Sequence, residues 1–167
     1  GLSGVIRFEL SFSGVWLGSE GLYNMVVTSH AIMMVFFLVM PIFMGAFGNM
    51  MLPLMLGVSD LVFPRLNNVS VLMVGVALIM FVGSMFQLGP QTGWTYYPPL
   101  SGSVFSSDLS VDMSILSLHV LGFSSIFNSL NILATVVYSL SCNYVSLERM
   151  PLFVWALSVT SVLVIVS

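Results

Sequence analysis

The chain has 167 residues, of which 58% are hydrophobic and 5% charged, with a mean hydropathy of +1.10. Soluble domains carry about 25% charged residues, so nine formal charges cannot clothe a compact soluble monomer, and the composition places the chain in a bilayer. A net charge of −3, with three arginines and no lysine, excludes a nucleic-acid partner.

Five apolar segments follow in chain order. The first is a stub, 1–6, closed by Arg7 and Glu9. The second covers 25–52, the third 71–88 and the fourth 113–139. The fifth opens at Pro151, a favourable first helical residue, and is still apolar at Ser167. At 1.5 Å per residue, 151–167 reaches about 25 Å, short of the roughly 30 Å hydrocarbon core. The stub and the last segment therefore read as incomplete spans, and the chain as part of something longer. No repeat, signal peptide or transit peptide is visible. The lone Cys142 excludes an intrachain disulfide. The expected fold is an all-α multispan membrane bundle, a single membrane-embedded region over 1–167.

Alternating spans put loops 11–24 and 89–112 on one side, with Glu20, Asp108 and Asp112 and no basic residue. Loops 53–70 and 139–150 share the other side, with Arg65 and Arg149 beside Asp60 and Glu148. The positive-inside rule makes the second side cytoplasmic or matrix.

His30 lies about one turn inside the second segment. Ionisable groups in spans are rare and face a bundle interior. It reads either as a neutral histidine bonded to a neighbouring helix or as a metal or haem ligand. No HxxxH or ExxH partner lies nearby, so a second ligand would come from elsewhere. Asn49 closes that span about 28 Å further along, beyond an expected kink at Pro41, and near it in sequence are Asp60, Asn67, Asn68 and Ser70. On the fourth segment Ser124, Asn128 and Asn131 each fall within about 40° of Ser117 around the helix. Such a stripe either bonds helices together or lines a wetted proton path with Asp60 as the acid at its mouth. His119, roughly 150° from the stripe, reads as a structural histidine bonded between helices. The loop GWTYYPPLSG, 93–102, has the composition of an interfacial aromatic belt.

The stretches SHAIMMVFFLVMPIFMGAFGNMMLPLMLGVSDLVFPRLNN, TGWTYYPPLSG, VDMSILSLHVLGFSSIFNSLN and PLFVWALSVT resemble, in order and spacing, subunit I of the cytochrome c oxidases, in the haem–copper oxidase family. IRFEL and LYNMVVTSH fit the same pattern. The resemblance covers essentially the whole chain and the amino-terminal third or so of that twelve-helix subunit. It implies that His30 ligates the iron of low-spin haem a, that Arg7 hydrogen-bonds the haem formyl group, and that Trp94 lies near the propionates. It implies Asp60 as the entrance of a proton pathway lined by Asn49, Asn67, Ser70, Ser124, Ser125 and Asn131. Glu9 and Gly14 match positions of a calcium or sodium site, and Glu20 falls where a second proton path is disputed. Two departures are mild: Met50 replaces the usual tryptophan of GNW, and VSD replaces APD.

The resemblance implies a second haem a and copper whose ligands lie outside this chain, so the chain alone cannot form the oxygen-reducing site. It implies, as partners, the remainder of subunit I, other subunits including the copper-bearing subunit II, cytochrome c as electron donor, and membrane lipids. The mitochondrial inner membrane is the expected location, ahead of a bacterial plasma membrane. A quinol oxidase of the same superfamily is the nearest alternative. A cofactor-free structural or transport subunit is the alternative of another class.

Overall fold

A computed structural model describes residues 1–106, 108–142 and 146–167. Residues 107 and 143–145, inside two of the loops above, lie outside the described residues. No strand occurs among the described residues. Helix α1 is Leu2–Glu9, α2 is Glu20–Leu56, α3 is Pro64–Met85, α4 is Leu109–Ser141 and α5 is Leu152–Val166. A 3₁₀ turn, Leu147–Arg149, precedes α5. Helices α2, α3 and α4 are long and apolar enough to cross a membrane, at 37, 22 and 33 residues. Their exposed side chains include Phe43, Phe47, Leu54, Leu72 and Ile79, as expected for surfaces facing lipid or other protein rather than water.

Two helix starts differ most from expectation. Helix α2 begins at Glu20 rather than Met25, because Ser19 caps it: its Oγ accepts the Leu22 N–H at 3.3 Å, and Glu20 adds negative charge in the first turn. Helix α3 begins at Pro64 rather than Val71. Proline suits the first helical position, where its missing N–H costs nothing, and the Asn67 N–H already bonds the Phe63 carbonyl at 3.2 Å. Asn67, Asn68 and Ser70 are therefore helical, not loop.

Inside α2 the expected kink at Pro41 takes a particular form. Met33–Val39 and Pro41–Gly48 are π-helical, ahead of an α-helical end, Asn49–Leu56. Pro41 cannot donate to the α-helical ladder and its ring crowds the preceding turn, and a wider turn relieves both. Gly57, left-handed at φ 70°, ends the helix and turns the chain toward Asp60.

The chain forms two units. The first comprises Gly1–Leu38 and Val76–His119, the second Val39–Gly75 and Val120–Ser167. In the first, Phe37 and Phe81 rings lie 5.5 Å apart. The Gly93 N–H donates to Thr28 Oγ1 at 3.2 Å, pinning the aromatic loop to α2. In the second, the core comprises Met44, Leu52, Leu56, Leu61, Ile132, Val136, Met150, Val154 and Leu157. Burial of Leu61 in that core holds the adjacent Asp60 at the surface.

Candidate functional site

In the second unit the polar residues form a linked set on an apolar background. Asn49 Nδ2 donates to Asn67 Oδ1 at 2.7 Å. Ser70 Oγ donates to the Asn67 carbonyl, and Ser124 Oγ donates to the Ser70 carbonyl, both at 2.7 Å. Ser125 Oγ donates to the Leu121 carbonyl at 3.2 Å. Asn67, Ser70, Ser124, Ser125 and Asn128 line one cavity of about 280 Å³, whose remaining wall comes from Met40, Pro41, Met44, Gly45, Ala46, Val71, Val74 and Leu121. That volume holds several waters at roughly 30 Å³ each. No charged side chain lines it. Three of its hydroxyls have committed their protons to backbone carbonyls, so they present lone pairs to the cavity.

Asn131 and Asn49 are not on that wall. Asn131 is fully buried and its carboxamide is spent on the backbone of Phe63, accepting its N–H at 3.0 Å and donating to its carbonyl at 3.1 Å. Thr135 Oγ1 accepts the Val62 N–H at 3.2 Å and donates to the Asn131 carbonyl at 2.7 Å. The two residues fasten the start of α3 to α4. Sequence reasoning missed Thr135, although it lies 18 residues after Ser117, five full turns, and so continues the stripe. Asp60 is exposed, its Oδ1 accepting the Leu61 N–H at 2.8 Å, in a depression it shares with Gly57, Ser59 and Tyr138.

In the first unit Glu9 is 9% exposed, and its carboxylate accepts the backbone N–H groups of Trp16 at 3.2 Å and Leu17 at 2.9 Å. Gly14, Glu20, Tyr23 and Asn24 line the adjoining cavity of about 400 Å³ with it. Arg7 is exposed on α1, and Trp94 is 54% exposed in the aromatic loop. Tyr96 in that loop donates its phenol proton to Ser114 Oγ at 2.9 Å. Burial raises its pKa above the ordinary 10.0, and the bond to Ser114 pulls it partly back. His30 is half-buried and bonds to none of the described residues. Val27 and Met34, one turn either side of it, are exposed at 39% and 41%. His119 is exposed and makes no hydrogen bond among the described residues, so the interhelical bond expected of it is not found within this chain.

Three helices long and apolar enough to cross a membrane, with two span histidines in one unit and a cavity edged by hydroxyls and carboxamides in the other, define a polytopic membrane protein. More narrowly, the chain belongs to the family described as Cytochrome C and Quinol oxidase polypeptide I, whose model matches residues 1–167. It is 49% identical over 168 residues to cytochrome c oxidase subunit 1 of Pecten maximus, covering 99% of this chain and 35% of that protein. The subunit 1 proteins of Eremothecium gossypii and Yarrowia lipolytica are 44% and 42% identical, over 99% and 100% of this chain and 31% and 32% of theirs. The chain thus spans about a third of the length of these relatives.

The residues around His30 fit a haem. Both imidazole nitrogens are uncommitted, and the flanking Val27 and Met34 offer an apolar strip suited to a flat macrocycle. Among the described residues no three His, Cys, Asp or Glu side chains cluster as metal ligands. An ion held by protein ligands alone therefore fits worse than an iron whose macrocycle brings most of its ligands.

Proposed function

We propose that residues 1–167 form one membrane-embedded region of the catalytic subunit of a terminal cytochrome c oxidase. In this reading the region carries one ligand of low-spin haem a and the entrance and lower lining of a proton-uptake path. The whole enzyme passes electrons from cytochrome c to oxygen and pumps protons. It works in the mitochondrial inner membrane, with the remainder of subunit I supplying the second histidine and the oxygen-reducing haem and copper, and with the copper-bearing subunit II.

The observation that carries the reading is the hydroxyl- and carboxamide-edged cavity in the second unit, in a unit that also bears an exposed carboxylate, Asp60, seven residues before the cavity residue Asn67. Asp60, exposed to water, is the acid at the mouth of the path and passes protons inward from it. Asn67, with Asn49 behind it, orients waters rather than ionising, since a carboxamide has no proton to lose at ordinary pH. The hydroxyls of Ser70, Ser124 and Ser125 accept from those waters. Asn131 and Thr135 keep the start of α3 in place and act on the path through position.

In the first unit, His30 would offer an imidazole nitrogen to iron. A haem there supplies one-electron redox chemistry. Arg7 would bias that chemistry by charge and by donating to the formyl group, and Trp94 would face the propionates. Glu9 holds a carboxylate where Gly14 leaves room for a calcium or sodium ion. Its two backbone donors already satisfy part of the charge. Glu20 on the same cavity would add a second carboxylate.

Asp60→Asn in the assembled complex tests the path. The substitution keeps the shape and removes the titratable group. We expect turnover to fall by at least about tenfold, with pumping lost and both haem signals intact. Normal turnover and normal proton-to-electron stoichiometry would refute the role.

A further inference from the structure

Asn128 is the one polar residue of the cavity wall that bonds to nothing among the described residues. It is 7% exposed, and its Oδ1 is fully enclosed without a partner. The other wall residues are settled: Asn67 by Asn49, and the three serines by backbone carbonyls. A serine left without a partner can turn its proton to its own helix, as Ser139 does toward the Val136 carbonyl at 2.8 Å. A mid-helix asparagine lacks that remedy for its oxygen, because the N–H groups around it are spent on the helix. A buried amide with no partner costs about 1–3 kcal/mol, so its presence in an apolar span calls for a ligand. The cavity beside it is polar on this side and roomy enough for water.

Ser124 and Ser125 lie four and three residues before Asn128 on α4, the spacings that bring side chains together on a helix face. Their oxygens have free lone pairs. A water held by the Asn128 amide therefore has two further acceptors within one turn. We propose that Asn128 is a positioning residue of the proton path, anchoring a water that joins the Ser124–Ser125 end of the cavity into a continuous hydrogen-bonded chain. The inference rests on the proton-path reading above and adds a residue that the family resemblance did not assign. The carboxamide neither gains nor loses a proton. It fixes where the water stands, and the proton passes along water.

The experiment uses the purified complex with Asn128→Leu, Asn128→Val and Asn128→Ser, and with Asp60→Asn in parallel. Turnover, proton-uptake rate, the solvent isotope effect in D2O and the low-spin haem spectrum are recorded. The Leu and Val variants should lose turnover about three- to tenfold, the size of one net hydrogen bond. Their isotope effect should rise while the haem spectrum is unchanged, and Asn128→Ser, which still binds water, should recover most of the rate. If Asp60→Asn slows proton uptake but the apolar Asn128 variants do not, this inference is overturned and the path stands. If neither slows it, the path reading falls and takes the inference with it. If both apolar variants lose the haem spectrum, Asn128 is a helix-packing residue and the inference is likewise overturned.

Discussion

The two units treat their polar side chains in opposite ways. In the second, Asn49, Asn67, Ser70, Ser124 and Thr135 bond to one another's side chains or backbone, and Asn131 bonds to the backbone of Phe63. Of the buried atoms left unpaired there among the described residues, Asn128 Oδ1 belongs to a residue bordering a cavity, whereas Asn49 Oδ1 and Ser129 Oγ do not. In the first, His30 bonds to none of the described residues, and Arg7 and Trp94 stand exposed. Hydrocarbon offers no partner to such groups. The second unit thus carries its own hydrogen-bonding solution, whereas the first presents groups whose use requires something that binds. That difference fits a proton path built from one chain and a cofactor site that one chain only begins.

The sharpest way to break the comparison is His30→Leu. Leucine matches the apolar neighbours Val27 and Met34, so a histidine that merely fills space should be replaced at little cost. A haem ligand should not. We expect complete loss of the low-spin haem signal and failure of assembly or of electron delivery, read by absorbance. An intact low-spin spectrum would place the ligand elsewhere and leave the first unit without a function for His30.

A second test concerns how rigidly the first unit presents that residue. Gly89 adopts φ 67°, and a Cβ there would collide with Met25 Cγ and stand 3.0 Å from its Sδ. Gly89→Ala should therefore cost about 1–3 kcal/mol from backbone strain and overlap. Met25→Ala in the same chain should return the part due to overlap and none of the part due to φ. A double-mutant cycle on the thermal stability of the complex measures the split. Simple additivity would show that the loop and α2 do not meet as described.

In the second unit the matching change is Asn131→Leu. It removes two bonds to Phe63 and leaves the Phe63 N–H to find another partner, while the Phe63 carbonyl keeps the Asn67 N–H. About 1–2 kcal/mol should be lost, seen as a lower melting temperature. Haem content should be unchanged at working temperature. Proton uptake should slow less than in Asp60→Asn, because Asn131 does not line the cavity. An effect as large as that of Asp60→Asn would move Asn131 from holding the helix to the path itself.

How much of this was legible in the sequence differs along the chain. The three long spans stand out because a run of apolar residues is all that a membrane helix needs. Their starts were harder, since Ser19–Glu20 and Pro64 are capping signals, whereas the expected limits followed hydropathy alone. Arg65, Asn67 and Asn68 look like loop residues, yet a helix start tolerates them where it meets water and polar neighbours. The π-helical stretches left no trace, because in MMVFFLV and PIFMGAFG every face is apolar and no period can be read. The polar stripe of α4 was visible by spacing. Its division into Asn131 and Thr135, which hold backbone, and Ser124, Ser125 and Asn128, which face a cavity, depends on where Phe63 and Ser70 lie. Local spacing carries no information about that.

The smallest expected effect sharpens the contrast from the first unit's side. Tyr96 is among the few polar groups there with a side-chain partner, donating to Ser114 at 2.9 Å. Burial holds its pKa above 10.0, and the Ser114 bond offsets part of the rise. Between 10.0 and the folded value, the folded loop retains a proton that the unfolded chain has released. The folded state then binds more protons, so stability falls as pH rises through that window and is unaffected by this group below it. Tyr96→Phe should lose about 1 kcal/mol at neutral pH, the worth of one hydrogen bond, but should show a flatter decline above pH 10.0. Ser114→Ala should push the Tyr96 titration higher still, because it removes the opposing contribution and keeps the burial. Tyrosinate absorbance, taken as the difference between the unsubstituted protein and Tyr96→Phe, follows the single group. A midpoint at or below 10.0 would mean that water reaches the phenol, and the aromatic loop would then be a loose cover over Thr28 rather than one fixed against it.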